Sequence, residues 1–180
     1  WPTAPLGLRL MLLPDHEIRR LCQQHGMVTP FTDQMINPAS IDVRLGDRIM
    51  IEQEHSAELQ ILGLCEYTQA VPFLIDPNEW FLAETQEIFH LPDHVGAQFV
   101  LKSSRAREGW DHAEAGWADP GYCGRLTLEL RNSRQYHPLP IWPGLRIGQL
   151  KFMLISGTPE RSYAQTGRYQ HDLVVTASKG

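Results

Sequence analysis

Between Lys102 and Asn132 the chain carries three groups of residues whose types and spacing could do chemistry. The first is Lys102-Ser103-Ser104-Arg105-Ala106-Arg107. Hydroxyls and backbone N–H groups at a turn or helix start can bind phosphate oxygens, and Arg adds bidentate charge-assisted bonds. The alternative for the same residues is a surface helix with solvated cations. The second group is Asp119-Pro120-Gly121-Tyr122-Cys123-Gly124. Its glycines let a ligand come close to the backbone. A Tyr there could lie flat on a sugar ring, and an Asp could accept a bond from a hydroxyl or orient water. Asp-Pro-Gly is also a common turn string in its own right. The third is Glu129 within Leu126-Thr127-Leu128-Glu129-Leu130. Strand alternation places Leu126, Leu128 and Leu130 on one face, and Thr127, Glu129 and Arg131 on the other. On a covered face, Glu129 would be a carboxylate with a raised pKa, suited to work as a general base or proton shuttle. On a solvated face it would be a plain surface residue.

These groups need a scaffold, and the rest of the chain predicts one built mainly of strands. The exception is a helix over residues 15–24. Ile18, Leu21 and Cys22 share one helical face there, Asp15 and Glu17 place negative charge at its start, and Gly26 stops it. Strand patterns follow at residues 41–45, 49–51, 71–75, 80–84, 87–91, 95–101, 126–130, 139–142 and 147–155, with Pro and Gly between them. Residues 52–69 are polar and read as an irregular loop. Many short, punctuated strands predict a barrel or jelly roll, and no long helix after Gly26 supports a doubly wound nucleotide fold. Neither G-x-x-x-x-G-K-[ST] nor G-x-G-x-x-G occurs. His112, like the other seven histidines, sits in no metal-ligand spacing and reads as a turn or interface histidine.

A length of 180 residues fits one domain, and 42% hydrophobic with 21% charged residues is ordinary globular composition. The net charge of -5 lacks the basic footprint of a nucleic-acid-polymer binder. Cys22, Cys65 and Cys123 are far apart with no C-x-x-C, so neither a disulfide framework nor a zinc site is expected. No apolar run reaches the roughly 18 residues of a membrane span. These features together predict a cytoplasmic protein without a membrane partner. Met11 reads as a natural start, with residues 1–10 a short extension or expression remnant. Residues 11–157 form the β domain, and residues 158–180 a polar tail, ordered on demand, that could close over the site.

Taken together the motifs resemble a known family. The string Ser103-Ser104-Arg105-Ala106-Arg107, then His112 to Asn132 with its A-G-W-x-D-P-G-Y-x-G and T-L-E-L, is similar to the dCTP deaminase branch of the dUTPase-like trimeric nucleotide hydrolases. Met11–Arg19, Ile36–Gly46, Trp142–Leu150 and Arg168-Tyr169 fall in the order that family shows. The resemblance implies a distorted dUTPase-like β-barrel or jelly roll with a short N-terminal helix, assembled as a homotrimer with sites between subunits. It implies that Lys102, Ser103, Ser104 and Arg107 hold a triphosphate carrying magnesium, with no zinc. By the same resemblance Asp119 meets the 3′-hydroxyl and Tyr122 packs on the deoxyribose. Ala115 and its neighbours, Trp117 among them, position base and water, and Gln149 helps hold the nucleotide. Tyr163, Arg168 and Tyr169 match the closing tail. Glu129 would shuttle protons while water attacks C4 of cytosine, with Ser103 and Arg107 in support.

The expected reaction is therefore deamination of dCTP to dUTP and ammonia. A bifunctional enzyme continuing to dUMP, a plain dUTPase and a deaminase of a modified cytosine nucleotide are the alternatives. Ala115-Gly116-Trp117 ahead of Asp119 resembles the bifunctional members. This chain departs from the family in a one-residue shortening between Gly109 and His112, in Lys102 and Arg168 as exchanged cation types, and in Asp172 where the tail usually has Gln.

Overall fold

The computed structural model describes residues 11–113 and 115–180, so the expectation for residues 1–10 lies outside it. Strand β1 (Met11–Leu12) leads into helix α1 (Asp15–His25), the element expected from its periodicity. Ile18, Leu21 and Cys22 are buried, and Gly26 takes the left-handed conformation that ends the helix, its N–H reaching the Cys22 carbonyl. The chain continues through β2 (Val28–Thr29), β3 (Ile36–Asn37), β4 (Ser40–Gln53), β5 (Ser56–Gly63), β6 (Phe73–Ile75), β7 (Trp80–Thr85), β8 (Ile88–His90) and β9 (Val95–Leu101). After the short helix α2 (Ser103–Glu108) come β10 (Trp110–His112), β11 (Trp117–Ala118), β12 (Cys123–Gly124), β13 (Thr127–Asn132), β14 (Leu139–Ile141) and β15 (Arg146–Leu154). A one-turn helix, α3 (Tyr163–Thr166), lies in the tail.

The principal sheet runs β10-β13-β7-β4-β15-β9-β11, with β1 beside β15 and both β3 and β5 beside β4. These seven strands curl into a half-barrel that does not close. Every pairing is antiparallel, and two small sheets, β12-β8-β2 and β14-β6, cap the curl. This is the mainly β, dUTPase-like jelly roll that the sequence predicts. Its core is filled by alternate residues of successive strands, among them Ile41, Val43 and Leu45 of β4, Phe81 of β7, Leu128 and Leu130 of β13, and Phe152 of β15, all at most 1% exposed.

One expectation fails here. Residues 52–69 are not an irregular loop, because Ser56–Gly63 form β5 as the return arm of a hairpin on β4, with Met50 opposite Ile61. As an edge strand with most side chains exposed, β5 shows no alternation that a sequence pattern could catch. The tail is packed against the sheet as far as Val175, which is 3% exposed.

Candidate active site

Strand β13 supplies the carboxylate. Leu128 and Leu130 point into the core, while Thr127 and Glu129 face a cavity of about 920 Å³. The alternation therefore resolves the two readings of Glu129 in favour of the covered face. In register across the sheet, Glu129 stands opposite Leu82 of β7, and Leu82 opposite Met50 of β4. Glu129 consequently lies beside an apolar surface, and burial pushes its carboxyl above the ordinary carboxylate range.

A histidine stands next to it. Strand β10 pairs with β13, with His112 opposite Leu130, and the Ala113 N–H donates to the Glu129 carbonyl. This brings His112 Nε2 to 3.6 Å from Glu129 Oε2, and both atoms are buried without a hydrogen-bond partner. The His112 ring lies 4.7 Å from that of Phe99, and burial lowers its pKa. Each group is thus driven toward its neutral form. No such partner for Glu129 is legible in the sequence, because the two residues are 17 positions apart and meet only through the β10–β13 ladder.

The Asp-Pro-Gly-Tyr turn forms the adjoining wall. Gly121 has φ of 85°, and a Cβ there would stand 2.7 Å from the Asp93 carboxylate and 3.1 Å from Ser162, so the turn and the tail pack as they do only around glycine. The Trp117 indole N–H donates to Asp119 Oδ1 at 2.8 Å and fixes that carboxylate at the cavity edge. Tyr122 is buried, donates its hydroxyl to the Arg125 carbonyl, and sets its ring 5.6 Å from Tyr163. The Tyr163 hydroxyl in turn accepts the Tyr169 N–H.

One chain thereby gathers Ala115, Trp117, Asp119, Tyr122, Glu129, Tyr163 and Tyr169 around a single cavity. It does not bring the phosphate-type residues there. Ser103, Ser104 and Arg107 stand exposed on α2, outside the cavity lining. Lys102 Nζ is held at 2.5 Å from the buried carboxylate of Asp42, which also receives Asn37 and Arg146. Gln149 accepts a bond from the Ser40 hydroxyl, beside that cluster. Arg168 lies in the tail, and its carbonyl accepts Lys179 Nζ. Among the described residues, no three His, Cys, Asp or Glu side chains are grouped as a metal site, and no helix is long and apolar enough to cross a membrane.

The half-barrel thus sets a half-buried carboxylate beside a buried histidine and an Asp-Pro-Gly-Tyr turn in one cavity, groups of the types that acid–base chemistry uses. Residues 12–155 match the family model described as dCTP deaminase-like. The chain is 37% identical over 182 residues to a "dCTP deaminase, dUMP-forming" of Beutenbergia cavernae, covering 94% of each. It is 35% identical to the proteins of the same description in Streptomyces coelicolor and Nanoarchaeum equitans, covering 94% of this chain and 95% and 97% of theirs. In solved structures the fold matches the 2′-deoxycytidine 5′-triphosphate deaminase of Agrobacterium tumefaciens with a TM-score of 0.65 at 21% identity, over 81% of this chain and 48% of that one. The chain belongs to the dCTP deaminase-like family and is a hydrolase of the kind that acts on the C–N bond of a cyclic amidine.

The comparisons also correct an expectation. An end point at dUTP is not what these relatives show, because each is described as dUMP-forming.

Proposed function

We propose that this protein converts dCTP and two waters to dUMP, pyrophosphate and ammonia. The observation that carries the proposal is Glu129, facing the cavity with one oxygen buried against His112, in the same enclosure as Asp119 and Tyr122. Glu129 takes a proton from water, and the resulting hydroxide attacks C4 of cytosine. Glu129 passes that proton to N3, then takes the proton of the new C4 hydroxyl and delivers it to the amino group, so that ammonia leaves as the C4 carbonyl forms. His112 holds the carboxyl side chain in place and keeps it from being trapped as a fully solvated carboxylate. Ala115 and Trp117 border the base, Asp119 meets the 3′-hydroxyl, and Tyr122 packs on the deoxyribose. A second water attacks the α-phosphorus and releases pyrophosphate.

The one cation lining this cavity among the described residues, Arg125, gives its guanidinium to the Thr85 and Gln86 carbonyls, so the phosphates require cations from elsewhere. Lys102, Ser103, Ser104, Arg107 and Gln149 form one edge outside it, which suits a role toward the cavity of a neighbouring copy in a homotrimer. Magnesium arrives on the triphosphate as part of the substrate, and the tail residues Tyr163, Arg168 and Tyr169 border the nucleotide. Three unpaired cysteines suit a reducing compartment such as the cytoplasm.

Purified protein incubated with dCTP and magnesium tests the reading, following ammonia and separating the nucleotides. Ammonia, dUMP and pyrophosphate in equal amounts are expected. Accumulating dUTP, or cleavage of added dUTP without ammonia from dCTP, overturns it.

A further inference from the structure

The end of the chain is fastened to the site by a carboxyl that the proposed catalysis does not use. Asp172, Thr176, Ala177 and Ser178 line the cavity with Glu129. Two backbone bonds tie this strap to the sheet. The Val175 N–H donates to Glu84 Oε2 at 2.7 Å, and the Thr176 N–H donates to Thr127 Oγ1 at 3.2 Å. The Val175 side chain packs with Met50 and Leu82, and Lys179 closes back on Asp172 at 2.7 Å. Glu84 stands opposite Thr127 in the β7–β13 register and is 2% exposed. Room for it is made on β4, where a Cβ on Gly46 would lie 2.5 Å from Glu84 Cγ.

A buried carboxyl in a strand position costs stability unless it is partnered. Glu84 has the strap as its hydrogen-bond partner, and the Asp47 carboxyl is a neighbouring titratable group. We propose that Glu84 is a positioning residue of the nucleotide site, holding residues 172–179 against the cavity and so setting its affinity for nucleotide. The inference rests on the reading of the cavity as a nucleotide site.

The charged and titratable groups around Glu84 also give the latch a pH dependence. They are Asp47 and Arg125, with Cys65 and Arg48 beyond Asp47. Burial raises the Glu84 pKa, with the neighbouring Asp47 adding to the effect. Burial also works to raise that of Asp47, but its Glu84 and Cys65 neighbours and the Arg48 charge outweigh it and hold it low. Of the two carboxyls, Glu84 is therefore the one that keeps its proton longer as pH rises. Loss of that proton as pH rises sets two carboxylates against each other and loosens the latch.

The test combines amide hydrogen exchange at Val175 with steady-state kinetics on magnesium dCTP. E84A is expected to lower Val175 protection about tenfold and raise KM about tenfold, with kcat changed less than about twofold. E84Q keeps an oxygen for Val175 and cannot ionise beside Asp47. It is expected to retain both protection and KM while losing the rise of KM at alkaline pH. In a chain ending at Leu173, E84A is expected to add nothing further. Unchanged Val175 protection in E84A, unchanged KM despite lost protection, or a full E84A effect without the strap each overturns the proposal. If the wild type turns over no nucleotide, the reading of the cavity fails, and the exchange data still decide whether Glu84 anchors the strap.

Discussion

The cavity at Glu129 and the cationic edge at α2 are built in opposite ways. The cavity is finished by one chain. Asp119 is held by Trp117, Tyr122 by the Arg125 carbonyl, Tyr169 by Tyr163, and the strap by Glu84. Little there has to reorganise when a small ligand enters. The edge is unfinished: Ser103, Ser104 and Arg107 are exposed, and Lys102 is occupied by Asp42. On the proposed function, the half that discriminates atoms of a base and sugar is pre-ordered within one chain, and the half that supplies charge is left open to a neighbouring copy. Preorganised polar groups in a partly enclosed site act more strongly on developing charge than the same groups in water, which is why the two halves can differ so much in finish.

Three experiments probe this contrast. The largest effect is expected inside the finished half. Glu129→Gln should lower ammonia release by about 10³-fold, within the range for loss of a general acid–base group, while nucleotide still binds. Release at the wild-type rate would remove Glu129 from the chemistry.

The next effect falls on the unfinished half. Ser103→Ala and Arg107→Ala should each raise KM for magnesium dCTP by roughly 10- to 100-fold, the scale of a lost charge-assisted bond. Mixed and reassembled with Glu129→Gln protein, the Ser103→Ala protein should regain turnover, because some sites then join an intact edge to an intact cavity. No recovery on mixing would place both halves within one subunit.

The smallest effect is thermodynamic and belongs to the pair of His112 and Glu129. The folded pKa of His112 lies below its ordinary value of 6.5, so the folded state binds fewer protons than the unfolded chain in that window. Its contribution is lost as pH falls through the unfolded value of 6.5 toward the folded one. Glu129 acts in the opposite sense: its folded pKa lies above 4.5, so stability is lost as pH rises from there toward the folded value. Melting temperature against pH should therefore fall by a few degrees on the acid side in wild type, and His112→Gln should flatten that limb. An unaltered acid limb in His112→Gln would show that His112 does not titrate against folding.

What could be read from the sequence was whatever repeats within a few residues. The 3.6-residue face of α1, the two-residue alternation of β13 and the Asp-Pro-Gly-Tyr turn are local patterns, and all three are present in the structure. The contacts that complete the site are long-range and leave no periodic trace. His112 meets Glu129 by strand pairing, and Glu84 meets Val175 across 91 positions. The strand β5 was hidden because an edge strand with most of its side chains in solvent needs no apolar alternation. Val175 was hidden because one buried residue in a polar tail looks like any other. Lys102 was legible as a cation, but its engagement by Asp42 depends on β4, β9 and β15 lying side by side.

Strand β13 writes two messages on alternate letters. Leu128 and Leu130 answer only to the core, and Thr127 and Glu129 only to the cavity. Selection can therefore redraft the second message while leaving the first untouched, so that over generations one scaffold supports successive chemistries without being rebuilt. A single inserted residue has the opposite effect. It exchanges the two alphabets along the rest of the strand, turning leucines to the ligand and the carboxylate to the core, and such lineages end with the fold itself.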